Sequence, residues 1–140
     1  MMRIFIDTNV LVDMMDARRA EHAASKRILR AAEDRRVELV LTGLTLINAL
    51  YAVRKAGHSA RQVRAVVEVI LSIVIVASTD MPQLQAALGS EWPDFEDAVQ
   101  YHAALSTGRV EFIVTSDQKG FKTSRIPVLS PREFVEGYLK

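Results

Sequence analysis

Carboxylate side chains stand at three places in the sequence where chemistry is expected. Asp7 follows a run of apolar β-formers, and Asp117 follows a second run of the same kind. Asp94 and Asp97 stand three residues apart at a predicted helix start. Open α/β sheets bind ligands at the carboxyl ends of their strands, and hard divalent cations prefer oxygen ligands. The pattern therefore predicts a divalent-metal site, with Mg²⁺ or Mn²⁺ as the expected ion.

Each of these carboxylates also has a purely structural interpretation. Asp7 can cap the helix that follows it, and Asp117 can form an Asx-turn. Asp94 can be a helix N-cap with Asp97 as its partner at the third helical position. Because these two residues share one helix face, we expect one to cap and the other to point into a pocket. Glu96 lies off that face and is expected to be solvated.

Other common metal ligands do not extend this pattern. The chain has no cysteine, which excludes disulfides and thiolate metal sites and favours a reducing cytoplasm. Its histidines, His22, His58 and His102, lie on predicted helices or at their ends without metal-ligand spacing. We expect them to be structural or surface residues, so that the metal is held by oxygen.

Apolar strand-like segments alternate with amphipathic segments along the whole chain. At 140 residues and 49% hydrophobic, the chain has the size of one domain with its own core. The alternation predicts a single domain over residues 1–140, a three-layer α/β/α sandwich with a central, mostly parallel sheet of four or five strands. The predicted strands are 2–6, 37–41, 73–77, 110–114 and 127–129, and the predicted helices are 8–15, 20–35, 44–55, 60–71, 82–88, 94–106 and one from Ser130.

Charge is distributed unevenly although the formal net charge is only +1. Residues 16–64 contain eleven Lys or Arg against five acids, whereas residues 65–108 contain six acids and no Lys or Arg. A basic half beside an acidic pocket suits a phosphate-backbone substrate that is brought to a metal site. The alternative is that these arginines are solvated helix faces.

No segment has the pattern of a membrane span or a secretion signal. The most apolar run, residues 63–77, is interrupted by Arg64, Glu68 and Ser72 and is shorter than the roughly 20 residues that a bilayer requires. The first residues form a strand and lack a basic flank followed by a long apolar run. We therefore expect a cytoplasmic protein without membrane attachment.

Four segments, in order and spacing, resemble the PIN-domain family, the Mg²⁺/Mn²⁺-dependent ribonucleases that include the VapC-like toxins of VapBC-type toxin–antitoxin pairs. Together they extend over essentially the whole chain, so the resemblance is specific as an ensemble and weak for any one piece. The segments are Ile6-Asp7-Thr8-Asn9-Val10-Leu11-Val12-Asp13, Leu44-Thr45-Leu46-Ile47-Asn48-Ala49-Leu50-Tyr51, Asp94-Phe95-Glu96-Asp97-Ala98 and Thr115-Ser116-Asp117-Gln118-Lys119-Gly120-Phe121.

The resemblance implies a role for each matched residue. Asp7 would be the first metal ligand, Asp97 the central acid, and Asp117 the late acid that holds metal directly or through water. Asp94 would be an additional ligand or a group that orients water, which completes a catalytic set of four. The supporting residues are Thr8, Asn9, Asn48, Thr115 and Ser116.

Two positions depart from the family pattern. Asn48 stands where the family usually has a glutamate, so the site loses a negative charge and should bind metal more weakly. Asp94 is a candidate to compensate for that charge. Gly120 stands where related chains often carry another acid.

Three functions compete on this basis. The first is a metal-dependent endoribonuclease that hydrolyses RNA phosphodiester bonds, a toxin for which the resemblance also implies a cognate antitoxin protein. The second is a PIN fold weakened at Asn48 that binds RNA or protein without cutting. The third is a small phosphatase of the haloacid-dehalogenase type, whose nucleophile also follows a first strand, although that family expects a second Asp where this chain has Asn9.

Two consecutive helices carry more apolar residues than a core needs. Most of these residues should be buried, and the excess is expected to form a homodimer face or an antitoxin face. The residues are Leu44, Leu46, Ile47, Leu50, Tyr51, Val53, Val66, Val67, Val69 and Ile70.

Overall fold

Five parallel strands form the central sheet of the computed structural model, which describes residues 1–139. Their order in the sheet is β3-β2-β1-β4-β5, with every neighbouring pair parallel. The predicted parallel sheet is confirmed. The strands are β1 (Met2–Ile6), β2 (Val37–Thr42), β3 (Val74–Ala77), β4 (Phe112–Val114) and β5 (Val128–Leu129).

Helices cover both faces of this sheet, which confirms the predicted α/β/α sandwich. Alternate residues of β1 point to opposite faces: Ile4 and Ile6 belong to one buried cluster with residues of α1, α2, α3, α4 and α7, and Phe5 belongs to a second cluster with Tyr101 of α6. The helices are α1 (Thr8–Met15), α2 (His22–Glu33), α3 (Gly43–Lys55), α4 (Ala60–Ile73), α5 (Met81–Leu88), α6 (Phe95–Thr107) and α7 (Pro131–Tyr138).

The element boundaries agree with the sequence to within two residues, and one short helix was not predicted. The chain before α2 is folded into a turn in which the backbone of Arg18 donates to the Asp16 carboxylate, so the helix begins at His22 rather than at residue 20. Strand β4 begins at Phe112 and follows a turn in which Gly108 and Arg109 adopt positive φ angles of 82° and 59°. A short 3-10 helix, Gln118–Phe121, was not predicted.

The pairing of β1 with β4 brings the first and last acidic segments together. Ile6 pairs with Val114, and the backbone N–H of Asp7 donates to the Val114 carbonyl at 3.1 Å. Asp7 and the segment that begins at Thr115 therefore leave the sheet side by side, as expected for neighbouring parallel strands. Within residues 1–139, no helix has the length and apolar character that crossing a bilayer would require.

Candidate active site at the carboxyl ends of β1 and β4

Asp7 is buried at the end of β1, with 7% of its surface exposed. Its Oδ1 accepts a hydrogen bond from the backbone N–H of Thr8 at 2.7 Å, which makes it the N-cap of α1. Its Oδ2 accepts a hydrogen bond from the Thr115 hydroxyl at 2.8 Å. The capping interpretation of Asp7 is thus correct but incomplete, because its second oxygen is held by the segment that follows β4.

The environment of Asp7 has opposing effects on its ionisation. Burial raises the pKa of the Asp7 carboxyl, while hydrogen bonds from Thr115, Thr8 and the Gln100 side chain oppose that rise. The negative charge of Asp117 raises the pKa further. Asp7 is therefore a carboxylate that is held by hydrogen-bond donors on several elements and is largely shielded from solvent.

The loop after β4 is tied to the loop after β1 through side-chain bonds. The Ser116 N–H donates to Asn9 Oδ1 at 3.2 Å, and the Asp117 N–H donates to Thr115 Oγ1 at 3.0 Å. Thr115 therefore bridges Asp7 and the backbone of Asp117. The Asp117 carboxylate is exposed and does not cap the 3-10 helix that it precedes, so it is available to the site rather than used in a turn.

The acidic pair at the start of α6 divides its roles as predicted. Asp94 is the N-cap, and its Oδ1 accepts a hydrogen bond from the Asp97 N–H at 2.9 Å. Asp97 is half-buried, and burial, followed by the charges of Asp94, Asp7, Asp117 and Glu96, raises its pKa to about 7. Asp97 is the carboxyl that faces the other acids.

Gly120 lies directly against two of these carboxylates. A Cβ atom placed there would be 2.7 Å from Asp97 Oδ2 and 3.1 Å from Asp117 Oδ2. Any side chain at this position would have to displace both acids. The absence of an acid at Gly120 therefore leaves room for the carboxylates of α6 and of the loop after β4 to approach each other.

Glu96 has the solvent exposure expected of it and also makes one contact that was not expected. Its side chain is exposed but not merely solvated, because Asn48 Nδ2 of α3 donates to Glu96 Oε1 at 3.1 Å. Glu96 also contributes to the raised pKa of Asp97. Asn48 stands where the family usually has a glutamate, and its side chain contacts a glutamate from α6 instead.

A buried polar chain behind Asp7 was missed by the sequence reasoning. Gln100, with 2% of its surface exposed, lies one helical turn after Asp97 and connects Asp7 to the hydroxyl of Thr45, which donates to Gln100 Oε1 at 3.5 Å. Thr45 in turn shares a hydrogen bond of 3.0 Å with Thr42 at the end of β2. The available signal was a polar residue on the otherwise apolar inner face of α6.

The donor chemistry of this site fits a hard divalent cation. All of its candidate ligands are oxygen atoms, the acids repel one another as they stand, and the Thr8 hydroxyl is buried without a partner in the described chain. Asp7, Asp97 and Asp117 are the residues that would hold the ion. Within residues 1–139, no three Asp, Glu or His side chains are already arranged as a complete ligand set.

His22 and His58 contact groups outside the carboxylate cluster, in agreement with the sequence prediction. His22 Nδ1 lies 2.7 Å from the Asp13 carbonyl oxygen, and His58 Nε2 lies 3.7 Å from Asp16 Oδ1. His102 lines a separate cavity with Trp92 and Tyr101.

Comparison with known proteins identifies the class of this arrangement. The model of the PIN domain family matches residues 3–119. Over 138 residues, the chain is 29% identical to Ribonuclease VapC1 of Aquifex aeolicus (strain VF5), a match that covers 96% of this chain and 94% of that protein.

Solved structures share the fold at low sequence identity. VapBC2 from Rickettsia felis, crystallised with a DNA fragment from its promoter, has a chain that superposes with a TM-score of 0.63 at 16% identity, covering 92% of this chain and 98% of that one. Mycobacterium tuberculosis VapC20, described as a sarcin-ricin loop cleaving toxin, gives a TM-score of 0.60 at 19% identity, covering 79% and 86%.

Proposed function

Because this chain belongs to the PIN domain family, we propose that it is a metal-dependent endoribonuclease, the toxin of a toxin–antitoxin pair. The relative that matches nearly its full length is named a ribonuclease. The observation that carries the proposal is the approach of Asp97 and Asp117 against Gly120, with Asp7 near enough for its charge to raise the pKa of Asp97. Such a cluster of oxygen ligands suits Mg²⁺ or Mn²⁺ and a phosphodiester substrate.

Asp7, Asp97 and Asp117 have different roles in this proposal. Asp7 holds a fixed position because Thr8 and Thr115 donate to its two oxygens. Asp97, whose pKa burial and the neighbouring acids raise to about 7, would hold the cation as a carboxylate. Asp117, exposed at the mouth of the site, would hold the ion directly or through water. A bound divalent cation supplies water activation and neutralises charge that develops on the phosphate.

Glu96 replaces the charge that the family places on the helix after the second strand. Asn48 occupies that position and donates to Glu96 at 3.1 Å, which holds a carboxylate from α6 at the same border of the site. Asp94 is less suited to this role because its Oδ1 caps α6. The chain therefore keeps the number of acids near the site while changing the helix that supplies one of them.

The alternative enzyme class has no support in the site. A haloacid-dehalogenase-type phosphatase expects a second acid two residues after the nucleophile, where this chain has Asn9. The Asn9 side chain instead accepts from the Ser116 N–H at 3.2 Å and lies 3.5 Å from Asp7 Oδ2. Asn9 ties two loops together rather than donating a proton to a leaving group.

The proposed function also includes partners. An antitoxin protein is the expected inhibitor, since the Rickettsia felis relative in fold was crystallised as VapBC2. Exposed apolar side chains on α3, Leu44, Ile47 and Tyr51, recur on one helix face and offer a surface for that partner or for a homodimer. We place the protein in the cytoplasm, where its RNA substrate is found.

A cleavage assay with matched variants tests the catalytic proposal. Purified protein is incubated with RNA in Mg²⁺, in Mn²⁺ and in EDTA, and the same assay is run on Asp7→Asn and on Asp34→Asn, an exposed residue beyond α2. We expect metal-dependent cleavage, a loss of about 100-fold for Asp7→Asn, and no more than a twofold change for Asp34→Asn. Absence of cleavage with either metal, or equal cleavage by both variants, would refute the proposal.

A further inference from the structure

A cavity of about 580 Å³ lies between the loop that joins α5 to α6, helix α6 itself, and the loop after the 3-10 helix. The side chains that matter in its lining are Glu91, Trp92, Tyr101, His102, Thr123 and Arg125. The volume falls in the range of sites that hold small organic ligands. Neither the carboxylate cluster nor the proposed reaction uses this cavity.

The aromatic part of the lining is held in place by its neighbours. The rings of Trp92 and Tyr101 are stacked with centroids 4.7 Å apart, and Phe121 meets Trp92 edge-on at 5.6 Å. The Tyr101 hydroxyl accepts a hydrogen bond of 3.2 Å from the Arg125 N–H, which fixes the opposite loop. The cavity is therefore preformed, with aromatic surface on one side and a cationic residue on the other.

The cavity adjoins the carboxylate cluster through two connections. Tyr101 follows Asp97 by four residues on α6, which is about 6 Å along the helix axis. Phe121 directly follows Gly120, the residue whose backbone lies against the Asp97 and Asp117 carboxylates. The cavity and the acids therefore share helix α6 and neighbouring segments of the chain.

The loop beside the cavity is positively charged and makes no ion pairs within residues 1–139. Lys119, Lys122 and Arg125 are all exposed, and none has an acidic partner in that range. Inside the cavity, His102 Nε2 is buried without a hydrogen-bond partner in the described chain, and Glu91 adds an acceptor. The site thus offers aromatic surface, a polar donor or acceptor, and cations at its entrance.

We propose that this cavity binds an unpaired nucleobase of the RNA substrate, outside the carboxylate cluster. Aromatic rings combined with basic side chains are the usual means by which proteins hold single-stranded nucleic acid. The base contacts the Trp92 ring, which the buried Tyr101 supports from behind. His102 or Glu91 bonds to the polar edge of the base, and Arg125 contacts a flanking phosphate. This inference rests on the proposed ribonuclease function and adds to it a preference for unpaired RNA.

Trp92 is the only tryptophan in the chain and reports directly on the cavity. Wild-type protein in EDTA, which prevents cleavage, is titrated with fluorescein-labelled oligouridylate and oligoadenylate of about eight nucleotides. Fluorescence anisotropy of the label measures binding, and Trp92 emission, measured with unlabelled RNA, measures occupancy of the cavity. The variants are Arg125→Gln and, as a matched control, Arg36→Gln, an exposed arginine at the opposite end of the sheet.

We expect at least one of the two RNAs to change Trp92 emission and Arg125→Gln to bind that RNA about 3- to 10-fold more weakly. Arg36→Gln should bind within twofold of wild type, and a fully paired duplex of the same length should leave Trp92 emission unchanged. Unchanged emission at saturating single-stranded RNA, equal affinity of both variants, or an equal response to duplex would overturn the inference. Binding that follows the expected pattern in a protein that cleaves no RNA with Mg²⁺ or Mn²⁺ would refute only the proposed function.

Discussion

Asp7 and Asp97 carry the same carboxyl group in opposite settings. Asp7 is buried, and donors from Thr8 and Thr115 satisfy both of its oxygens. Asp97 is half-buried among Asp94, Asp7, Asp117 and Glu96, and these charges, after burial, raise its pKa to about 7. Burial also raises the pKa of Asp7, but hydrogen bonds from Thr115 and Thr8 oppose that rise. We therefore interpret Asp7 as a fixed anchor supported by the fold, and Asp97 as an acid under electrostatic strain that a cation would relieve.

The largest expected effect comes from removing the hydrogen bond that the Thr115 hydroxyl donates to Asp7. In Thr115→Val, the buried Asp7 Oδ2 and the Asp117 N–H both lose their partner, and a hydrogen bond to a charged group is worth about 1.5–3 kcal/mol. We expect RNA cleavage to fall about 10- to 100-fold, measured as kcat/KM at saturating Mn²⁺.

Thr107→Val provides the matched control, because the Thr107 hydroxyl donates only to the Ala103 carbonyl at the far end of α6. Its activity should remain within twofold of wild type. If Thr115→Val cleaves RNA as fast as Thr107→Val does, Asp7 does not depend on this support, and the proposed contrast between the two acids is wrong.

The strain on Asp97 predicts a pH-dependent stability in the absence of metal. Because the folded-state pKa is raised from 3.8 to about 7, the folded protein binds an extra proton between these values. The contribution is fully present below pH 4 and is lost as pH rises through about 7. For a half-exposed group, solvent screening reduces this contribution to about 1 kcal/mol.

The Asp97→Asn variant isolates this effect. In EDTA at pH 8 we expect its free energy of unfolding to exceed that of wild type by about 1 kcal/mol, and the difference to shrink towards pH 4. Urea titrations at several pH values measure it. Asp7→Asn is the comparison, and it should gain no stability, because the amide cannot replace both acceptor oxygens of Asp7. Stabilisation of Asp7→Asn alone would reverse the assignment of anchor and strained acid.

The sequence alone predicted the position of Asp7 better than the position of Asp97. The position of Asp7 follows from local signals, an apolar strand followed by a capping residue, and its meeting with Asp117 follows from the parallel α/β pattern. The sequence also predicted that either Asp94 or Asp97 would cap α6. Helix spacing alone did not decide which of the two faces the other acids, because that depends on the packing of α6 against the sheet. Only the family resemblance pointed to Asp97.

Contacts between distant segments were the least predictable part of the site. Gln100 and Thr45 lie 55 positions apart and are polar residues within helices that otherwise appear as core. Glu96 lies 48 positions from Asn48, and the spacing within α6 alone placed it in solvent. The stack of Trp92 on Tyr101 required knowledge of the turn that joins α5 to α6. Each depends on tertiary geometry, which local patterns do not encode.

The smallest expected effect concerns the acid that Asn48 holds near Asp97. If Glu96 supplies the charge that the family places at position 48, Glu96→Gln should weaken Mn²⁺ binding by about threefold, a loss of roughly 0.7 kcal/mol for an exposed acid. Isothermal titration calorimetry with Mn²⁺ measures this directly and does not require cleavage. Glu91→Gln, an exposed acid in the loop before α6, is the control and should bind Mn²⁺ as wild type does.

A double substitution tests whether Glu96 of α6 supplies the negative charge that the family places on α3 at position 48. Asn48→Glu combined with Glu96→Gln keeps the pair of side chains in contact and exchanges their identities, so the amide of residue 96 can donate to the new carboxylate. We expect this variant to recover the Mn²⁺ affinity that Glu96→Gln loses. Failure to recover, with the fold intact by circular dichroism, would show that the position of Glu96 on α6 matters and not only the number of acids. The raised pKa of Asp97 would then be explained by acids on its own helix. The difference between Asp97 and Asp7 would depend entirely on how α6 packs against the sheet.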